Sequence, residues 1–203
     1  MTQHTAFRFA MPKPVRVSGR SSSITNSFVN GIIPVIKPSE SQIKEALEIL
    51  GMPDEVVCAY CGDTATEWDH LRPLVTGKQP TGFISEIHNL VPACGKCNQS
   101  KGNKAWREWM FGPARLSPAT RGVFDIDERA QRLAAYEQWE LPTVVDFAEV
   151  VGAELWERHW ANHAAIIALM REAEVTVEEI RTCIAASAGP LEPAPIGSSL
   201  SEA

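Results

Sequence analysis

The sequence predicts an α+β fold, with a small core over residues 39–112 and a mainly α-helical region after it. Three observations predict this organisation. A capped amphipathic helix begins near residue 39, a dense group of Cys, Asp, His and Asn residues lies between 58 and 102, and helical patterns follow from about residue 127. The 203 residues suit one medium domain or a small core with substantial additions.

Residues 1–38 are predicted to form a flexible basic arm. They are rich in Ser, Pro, Asn and Gly, a composition typical of a terminal segment without fixed structure. Its basic residues include Arg8, Lys13, Arg16 and Arg20. Within the arm, the apolar residues 32–36 are expected to form a short strand or a packing anchor.

Residues 39–50 have the pattern of a helix that belongs to the core. Ser39 and Gln42 match a capping box, and Gly51 with Pro53 ends the helix. Its apolar stripe consists of Ile43, Ala46, Leu47 and Leu50. We expect this stripe to pack against the segment that follows.

Residues 113–188 are predicted to be a helical region that serves recognition, dimerisation or packing. Helical patterns cover 127–139, about 144–173 and 177–187, the last after a capping box at Thr176 and Glu179. One face of the long helix carries Trp156, Trp160, His163, Ile167 and Met170. Core packing is the default explanation of that face, and a dimer interface is the alternative. The tail, 189–203, is predicted to be disordered.

Composition excludes some classes of protein and leaves others open. No apolar run approaches the roughly 20 residues that span a bilayer, and the N-terminus lacks the pattern of a secretory signal, so we expect a cytoplasmic protein without a membrane segment. The net charge of −6 arises from an excess of acidic residues after residue 112. The core is therefore not strongly acidic, and a nucleic-acid partner is not excluded.

Four of the five cysteines lie in two CxxC pairs, Cys58 with Cys61 and Cys94 with Cys97. Two such turns can direct four thiolates to one centre, which is the tetrahedral coordination of structural zinc. The pairs lie far apart in sequence, so a zinc ion would staple distant segments together. We therefore predict a zinc-stapled core, with a disulfide pairing as the less favoured alternative.

Residues suited to phosphodiester hydrolysis lie between and beside these pairs. Cleavage needs a divalent cation to polarise the phosphate and a base to activate water. Asp69 offers a hard oxygen ligand, and His70 offers a base. The two neighbours can have different roles because consecutive side chains of a strand point to opposite faces. This pattern favours a nuclease with a single Mg²⁺.

The segment 58–102 resembles the HNH, or ββα-metal, endonucleases, in the variant with two zinc-binding CxxC motifs. His70 corresponds to the family's first histidine, in an Asp-His step, Asn89 to its central asparagine and Asn98 to its final position. The resemblance implies a ββα-metal core in which Asp69 and Asn98 hold Mg²⁺ or Mn²⁺. It also implies that His70 is the general base, that Asn89 positions the loop beside it, and that the products carry 5′-phosphate and 3′-hydroxyl ends.

Two basic residues near the motif are predicted to contact nucleic acid, Lys101 before Arg72. The stretch from Pro73 to Glu86 is long for a connection between core strands, and is either a DNA-facing loop or a mobile surface loop. His88, beside Asn89, breaks the family spacing and is not expected to be the active histidine.

The sequence thus predicts a metal-dependent HNH endonuclease that hydrolyses double-stranded DNA, of a restriction type or from a phage or mobile element. A restriction enzyme that cuts both strands would be a homodimer. The alternatives are a non-catalytic zinc module that binds nucleic acid or protein, and a nuclease directed at RNA.

Overall fold

A computed structural model describes residues 13–188 of the chain. The predicted tail, 189–203, and the first twelve residues of the predicted arm lie outside the described residues. The described residues form two compact units, one of residues 22–163 and one of residues 13–21 together with 164–188. The first unit holds the core that the sequence predicted.

The fold is α+β, as predicted, with small sheets and a helical C-terminal region. The strands are β1 (Glu67–His70), β2 (Val75–Thr76), β3 (Gln79–Pro80) and β4 (Leu90–Ala93). The helices are α1 (Ser21–Asn30), α2 (Glu40–Ile49), α3 (Gly95–Lys101), α4 (Trp106–Phe111), α5 (Ile126–Trp139), α6 (Phe147–Val151) and α7 (Ala153–Ala188). Two short 3₁₀ helices, Val17–Arg20 and Ile87–Asn89, complete the described elements.

The centre of the larger unit is a ββα arrangement. Strands β1 and β4 pair antiparallel, with Asp69 opposite Val91 and His70 opposite Leu90. Helix α3 begins directly after β4, with Cys94 as its N-cap residue. The ββα core implied by the family resemblance is therefore present. Strands β2 and β3 form a separate two-stranded hairpin within the long connection after His70.

The main hydrophobic core joins the ββα arrangement to helices on both sides in sequence. Ala46 of α2 and Leu50, its C-cap residue, pack into it, as the predicted stripe requires, and the Ser39–Gln42 capping box is present. Trp109 and Met110 of α4 are buried in the same cluster. The short helix α4 begins at Trp106. Its N-cap residue is Ala105, whose side chain forms no capping hydrogen bond.

Helix α5, from the predicted helical region 113–188, packs into this core. Its buried residues Ala130, Leu133 and Tyr136 lie in the same cluster as the ββα side chains. The Tyr136 hydroxyl donates to the carbonyl oxygens of Ile87 and Leu90, the latter at 2.8 Å. The helix therefore caps backbone groups at the start of β4.

The predicted flexible arm contains an ordered helix, α1. Thr25 and Val29 are buried on one side of it, and Val29 lies in a second core cluster with Ile33, Leu74 and Val75. Apolar residues at helical spacing within a Ser- and Asn-rich stretch explain this difference, because burial of two or three such residues can order a polar helix. After α1, Val35 forms a parallel bridge with Ser85, so residues 32–36 provide both a buried anchor and a short backbone pairing.

The C-terminal helices differ from the prediction at two places. The predicted helix at 144–173 is divided at Gly152, whose φ of +79° ends α6 before α7 begins. The predicted break before residue 177 is absent, and α7 continues to Ala188. The capping-box residues Thr176 and Glu179 lie in mid-helix, and no Gly or Pro between 153 and 188 forces the backbone out of the helix. Among the described residues, no helix is long and apolar enough to cross a membrane.

The packing of α5 predicts how a mutation in that helix changes stability. Leu133→Ala removes a fully buried side chain and should lower the free energy of unfolding by about 2–5 kcal/mol, because a cavity remains in the main core. Urea unfolding in the presence of zinc, followed by tryptophan fluorescence, measures this. The control is Gln131→Ala, an exposed position on the same helix, with an expected change within about 0.5 kcal/mol. Equal unfolding midpoints for the two variants would contradict the assignment of α5 to the core.

Candidate active site

The four cysteines of the CxxC pairs converge on one point. Their Sγ atoms all lie within 4.8 Å of one another, and the Sγ atoms of Cys61 and Cys94 are 3.7 Å apart. Tetrahedral zinc with Zn–S bonds of about 2.3 Å separates its sulfur ligands by about 3.8 Å. The donor set and its spacing therefore fit a structural metal ion, and the fit is consistent with a zinc-stapled core.

Local backbone geometry directs the sulfur atoms to this point. The first pair lies in a tight turn, where the Gly62 N–H donates to the Cys58 carbonyl at 2.8 Å and Gly62 adopts a φ of +80°. The second pair lies at the start of α3, where Cys94 is the N-cap residue and Cys97 is in the first turn. A hydrogen bond with Cys61 raises the pKa of Cys58 to about 12, so metal binding here releases protons.

Two arginines from the chain beyond residue 112 hold this cluster. Arg121 donates to the Cys97 Sγ at 2.9 Å and lies 3.6 Å from Asp63. Arg129 of α5 donates to the Cys58 carbonyl at 3.2 Å, and its guanidinium lies against the Cα of Gly62, where a side chain would collide with it. Four thiolates around a divalent ion carry a net negative charge, which the Arg121 guanidinium partly neutralises.

A cleft of about 210 Å³ contains three of the predicted site residues. Asp69 and His70 line it at the end of β1, and Asn98 lines it from α3. The ββα arrangement thus brings together side chains that lie 29 positions apart in sequence. The other lining residues are Asn26, Asn30, Pro73, Leu74, Val75, Gly102 and Asn103.

The Asp69 carboxylate is 5% exposed and is held by two neighbours. Its Oδ2 accepts a hydrogen bond from the Tyr60 hydroxyl at 2.7 Å and lies 3.1 Å from the Lys101 ammonium. Burial raises the pKa of Asp69, and the charge of Lys101 and the Tyr60 hydrogen bond oppose that rise. Burial also raises the pKa of Tyr60, so this hydroxyl stays a donor. The Oδ1 atom makes a longer contact, 3.3 Å to Lys101, and is the oxygen that we expect to bind a cation.

His70 is half-buried, and its ring is oriented by Ser85. The His70 Nε2 lies 2.8 Å from the Ser85 Oγ. Burial, together with the nearby charge of Lys101, lowers the pKa of His70 to about 4, so the imidazole is neutral at pH 7. Ser85 is itself fixed through its backbone, which bonds to Pro34 and Ile36 at 3.2 and 2.8 Å. The Ser85 contact therefore engages one ring nitrogen, and the tautomer decides which of the two nitrogens carries the proton.

Asn89 is fully buried and binds the chain directly after His70. Its Oδ1 accepts from the Arg72 backbone N–H at 2.8 Å, and its Nδ2 donates to the Arg72 carbonyl at 3.2 Å. The Leu71 N–H also donates to the Asn89 carbonyl at 2.9 Å. These three bonds set the exit of the chain from β1. Asn89 does not line the cleft.

Asn98 faces the cleft and donates its Nδ2 to the carboxylate of Glu67 on β1. This bond orients the carboxamide, because the Oδ1 then points away from Glu67 and is available to bind a cation. Glu67 and Asp69 are two residues apart on β1, a spacing that places both on one face of the strand. Asp69 and Asn98 thus provide hard oxygen donors at one cleft, which fits the predicted Mg²⁺ or Mn²⁺.

The two residues predicted to contact nucleic acid both turn inward. Lys101 is fully buried, and its Nζ donates to the His70 carbonyl at 2.6 Å as well as to Asp69. The Arg72 guanidinium donates to the Glu137 carbonyl of α5 at 2.8 Å and lies 5.9 Å from the centre of the Phe83 ring. Neither side chain lines the cleft. A phosphate contact by Lys101 or Arg72 stays an untested prediction, and the internal contacts of the two side chains do not support it.

Sequence reasoning missed several residues that shape the site. Tyr60 lies between the two cysteines of the first pair, and Ser85 lies in the long connection after His70, where no motif marks it. Glu67 and Arg121 are ordinary charged residues in the sequence. Their roles depend on contacts between residues that are 9 to 31 positions apart in sequence, such as the Tyr60–Asp69 and Glu67–Asn98 hydrogen bonds.

Comparison with known proteins supports the resemblance. Residues 58–104 match the family model described as HNH endonuclease. The CRISPR-associated endonuclease Cas9 of Corynebacterium diphtheriae is 41% identical over 56 residues, which cover 26% of this chain and 5% of Cas9. No solved structure matches this chain. Residues 58–104 therefore form an HNH endonuclease domain, whereas the chain shares only a small part of the length of Cas9.

The Arg121–Cys97 contact predicts a change in metal affinity. Arg121→Ala should weaken zinc binding by about 10- to 100-fold, because the thiolate cluster loses its neutralising partner. Competition with a chromogenic zinc chelator measures the affinity. The control is Arg115→Ala in the same connection, an exposed side chain to which the described part of the chain offers no ion pair. If Arg121→Ala and Arg115→Ala released zinc at the same chelator concentration, the contact would have no part in metal binding.

Proposed function

We propose that this protein is a metal-dependent endonuclease that hydrolyses phosphodiester bonds of double-stranded DNA. The observation that carries the proposal is the convergence of Asp69, His70 and Asn98 on one cleft within a matched HNH segment. Two hard oxygen donors and a neutral imidazole are the groups that this hydrolysis needs. We further propose that zinc fills the cysteine cluster.

Asp69 and Asn98 would hold a Mg²⁺ or Mn²⁺ ion through their side-chain oxygens. When bound, the ion supplies charge that stabilises the phosphate and the leaving oxygen. Lys101 opposes the rise in the pKa of Asp69 that burial causes, and so favours the ionised carboxylate at this buried position. In this proposal Lys101 therefore acts through its charge on Asp69 and does not contact the nucleic acid.

His70 acts as the general base in this proposal. The proposed tautomer carries its proton on Nε2, within hydrogen-bond distance of the Ser85 Oγ, and this leaves the Nδ1 lone pair free for water. His70 removes one proton from water, the water oxygen bonds to phosphorus, and the bond from phosphorus to the 3′ oxygen breaks. The 3′ oxygen leaves and takes a proton from solvent, so the products are a 5′-phosphate and a 3′-hydroxyl. Asn89 serves this step indirectly, by fixing the chain that follows His70.

Two biological roles suit this reaction, restriction and cleavage by a phage or mobile-element enzyme. A restriction enzyme that cuts both strands usually needs two active sites, which a homodimer would supply. A nicking enzyme cuts one strand and needs one active site. The ratio of linear to open-circular plasmid among the first products distinguishes these roles.

A non-catalytic zinc module is the competing function. It accounts for the cysteine cluster but gives no reason for Asp69, His70 and Asn98 to share a cleft. A nuclease directed at RNA would use the same residues, and parallel digestion of RNA and DNA duplexes separates it from the main proposal.

Replacement of the proposed base tests the reaction directly. Wild-type protein with Mg²⁺ should nick or cut supercoiled plasmid, and His70→Ala should lower the rate by at least about 100-fold, because a general base contributes roughly 10²- to 10⁴-fold. Gel electrophoresis of the plasmid over time measures the rate. Addition of EDTA to the wild type should also stop cleavage.

His88→Gln provides the matched control. This neighbouring histidine lies 3.0 Å from Glu140 and does not line the cleft, and glutamine retains a hydrogen-bonding group. The control should cleave at a rate within a few-fold of the wild type. Equal rates for wild type and His70→Ala, or no cleavage of any DNA by wild type, would rule out the proposed reaction.

The hydroxyl of Ser85 should matter because it orients the base. Ser85→Ala removes the hydrogen bond to His70 and should slow single-turnover cleavage by about tenfold, which corresponds to roughly one hydrogen bond of 1.4 kcal/mol. Ser85→Thr keeps the hydroxyl and should restore most of the rate. A rate for Ser85→Ala equal to that of the wild type would show that another group orients His70.

A further inference from the structure

The cleft that contains Asp69 and His70 is built partly by residues outside the matched segment 58–104. Asn26 and Asn30 line it as well, and both lie on α1. Because they are four residues apart, their side chains lie on one face of that helix. Helix α1 therefore forms a wall of the cleft.

Helix α1 is held in this place by the face next to Asn26 and Asn30. The buried Thr25 places its Oγ1 2.9 Å from the Nε2 of His163. Val29 is fully buried in one core cluster with Leu74 and Val75, and these two residues also line the cleft. The packing that orders α1 is thus the packing that shapes the cleft beside it.

The carboxamides of Asn26 and Asn30 are free to bind a ligand. Asn26 is half-buried and Asn30 is exposed, and neither side chain has a hydrogen-bond partner within residues 13–188. Their amide groups can donate to phosphate oxygens, as asparagine does in many DNA complexes.

The charge of the cleft favours neutral donors of this kind. Its lining, as far as the structure describes the chain, includes no Lys or Arg. A cation at these positions would repel the divalent ion that the proposed reaction requires, whereas a carboxamide donates to phosphate without adding charge. Asn98 and Asn103 give the cleft two further carboxamides from the matched segment.

We propose that Asn26 and Asn30 bind the DNA backbone next to the scissile phosphate and position it for attack. This inference rests on the proposed function, because it names a further substrate-binding surface of the same site. It extends the active site from the HNH segment to the N-terminal helix. Both residues bind substrate in this assignment, and neither holds the metal.

Substitution of both asparagines tests the assignment. The Asn26→Ala, Asn30→Ala double variant should cleave a DNA duplex at least tenfold more slowly under single-turnover conditions, with unchanged zinc content and circular dichroism. The matched control is Ser23→Ala, Ser27→Ala, a pair with the same spacing on the exposed side of the same helix. Both double variants introduce alanine, which favours helix, so helix stability changes in the same direction in the two. The serine variant should cleave within twofold of the wild type.

A binding measurement provides a readout that does not depend on catalysis. In the His70→Ala background, the two asparagine substitutions should weaken duplex binding by about five- to tenfold in fluorescence anisotropy. The slope of log affinity against log salt concentration should stay unchanged, because neutral side chains release no counterions from phosphate. A shallower slope would indicate instead that the substitutions displaced a basic group, and would contradict the assignment.

The outcomes separate this inference from the proposed function. If wild type cleaves, His70→Ala does not, and the asparagine variant matches the wild type, the inference is wrong and the proposed function stands. If both double variants slow cleavage equally, α1 acts through its stability and not through these carboxamides, which also overturns the inference. If wild type cleaves no DNA and His70→Ala behaves the same, the proposed function fails, and the inference fails with it.

Discussion

The convergence of four thiols is the constraint on which the rest of the structure depends. Strands β1 and β4 have four residues each, too few to be stable as an isolated hairpin. The cysteine cluster joins the turn before β1 to the helix after β4, and so closes the ββα core at the end away from the long connection between the two strands. Asn98 follows Cys97 directly, so a metal bond to this sulfur would also fix a proposed catalytic ligand. A metal bound by the four cysteines would therefore do more than stabilise the fold, because it would set the position of α3 against β1.

The buried pair of Lys101 and Asp69 is the second constraint, and it is an electrostatic one. Both groups are removed from water, and such a pair is favourable only when further hydrogen bonds complete its surroundings. Here Tyr60 provides a bond to Asp69, and the His70 carbonyl accepts from Lys101 at 2.6 Å. The same ammonium helps to lower the pKa of His70. One buried cation thus favours an ionised carboxylate and a neutral imidazole in adjacent residues, which is the protonation state that the proposed hydrolysis needs.

Part of the fold and of the site could be predicted from sequence because the relevant signals are local or have fixed spacing. The capping box at Ser39, the α5 pattern and the CxxC pairs are of this kind, and the structure confirms the α+β fold with its cysteine cluster. The direction of a long side chain is different, because it depends on partners distant in sequence. Lys101 and Arg72 looked available for phosphate, yet Asp69 and Glu137 engage them. The ordered helix α1 was missed for the same reason, since its buried partners lie in the connection after β1.

The two regions that flank the HNH segment contact different parts of it. The region after α4 contacts the cysteine cluster, whereas helix α1 lines the cleft. Arg121 and Arg129 contact the cysteine cluster, so the region after α4 stabilises the metal-bearing end of the core. Helix α1 contributes instead to the cleft, through Asn26 and Asn30. In the proposed assignment, changes at these two positions alter the contacts with the substrate. Changes at Arg121 alter the core itself. The chemistry resides in the short matched segment, and we infer that selection of the DNA resides in the elements that enclose it.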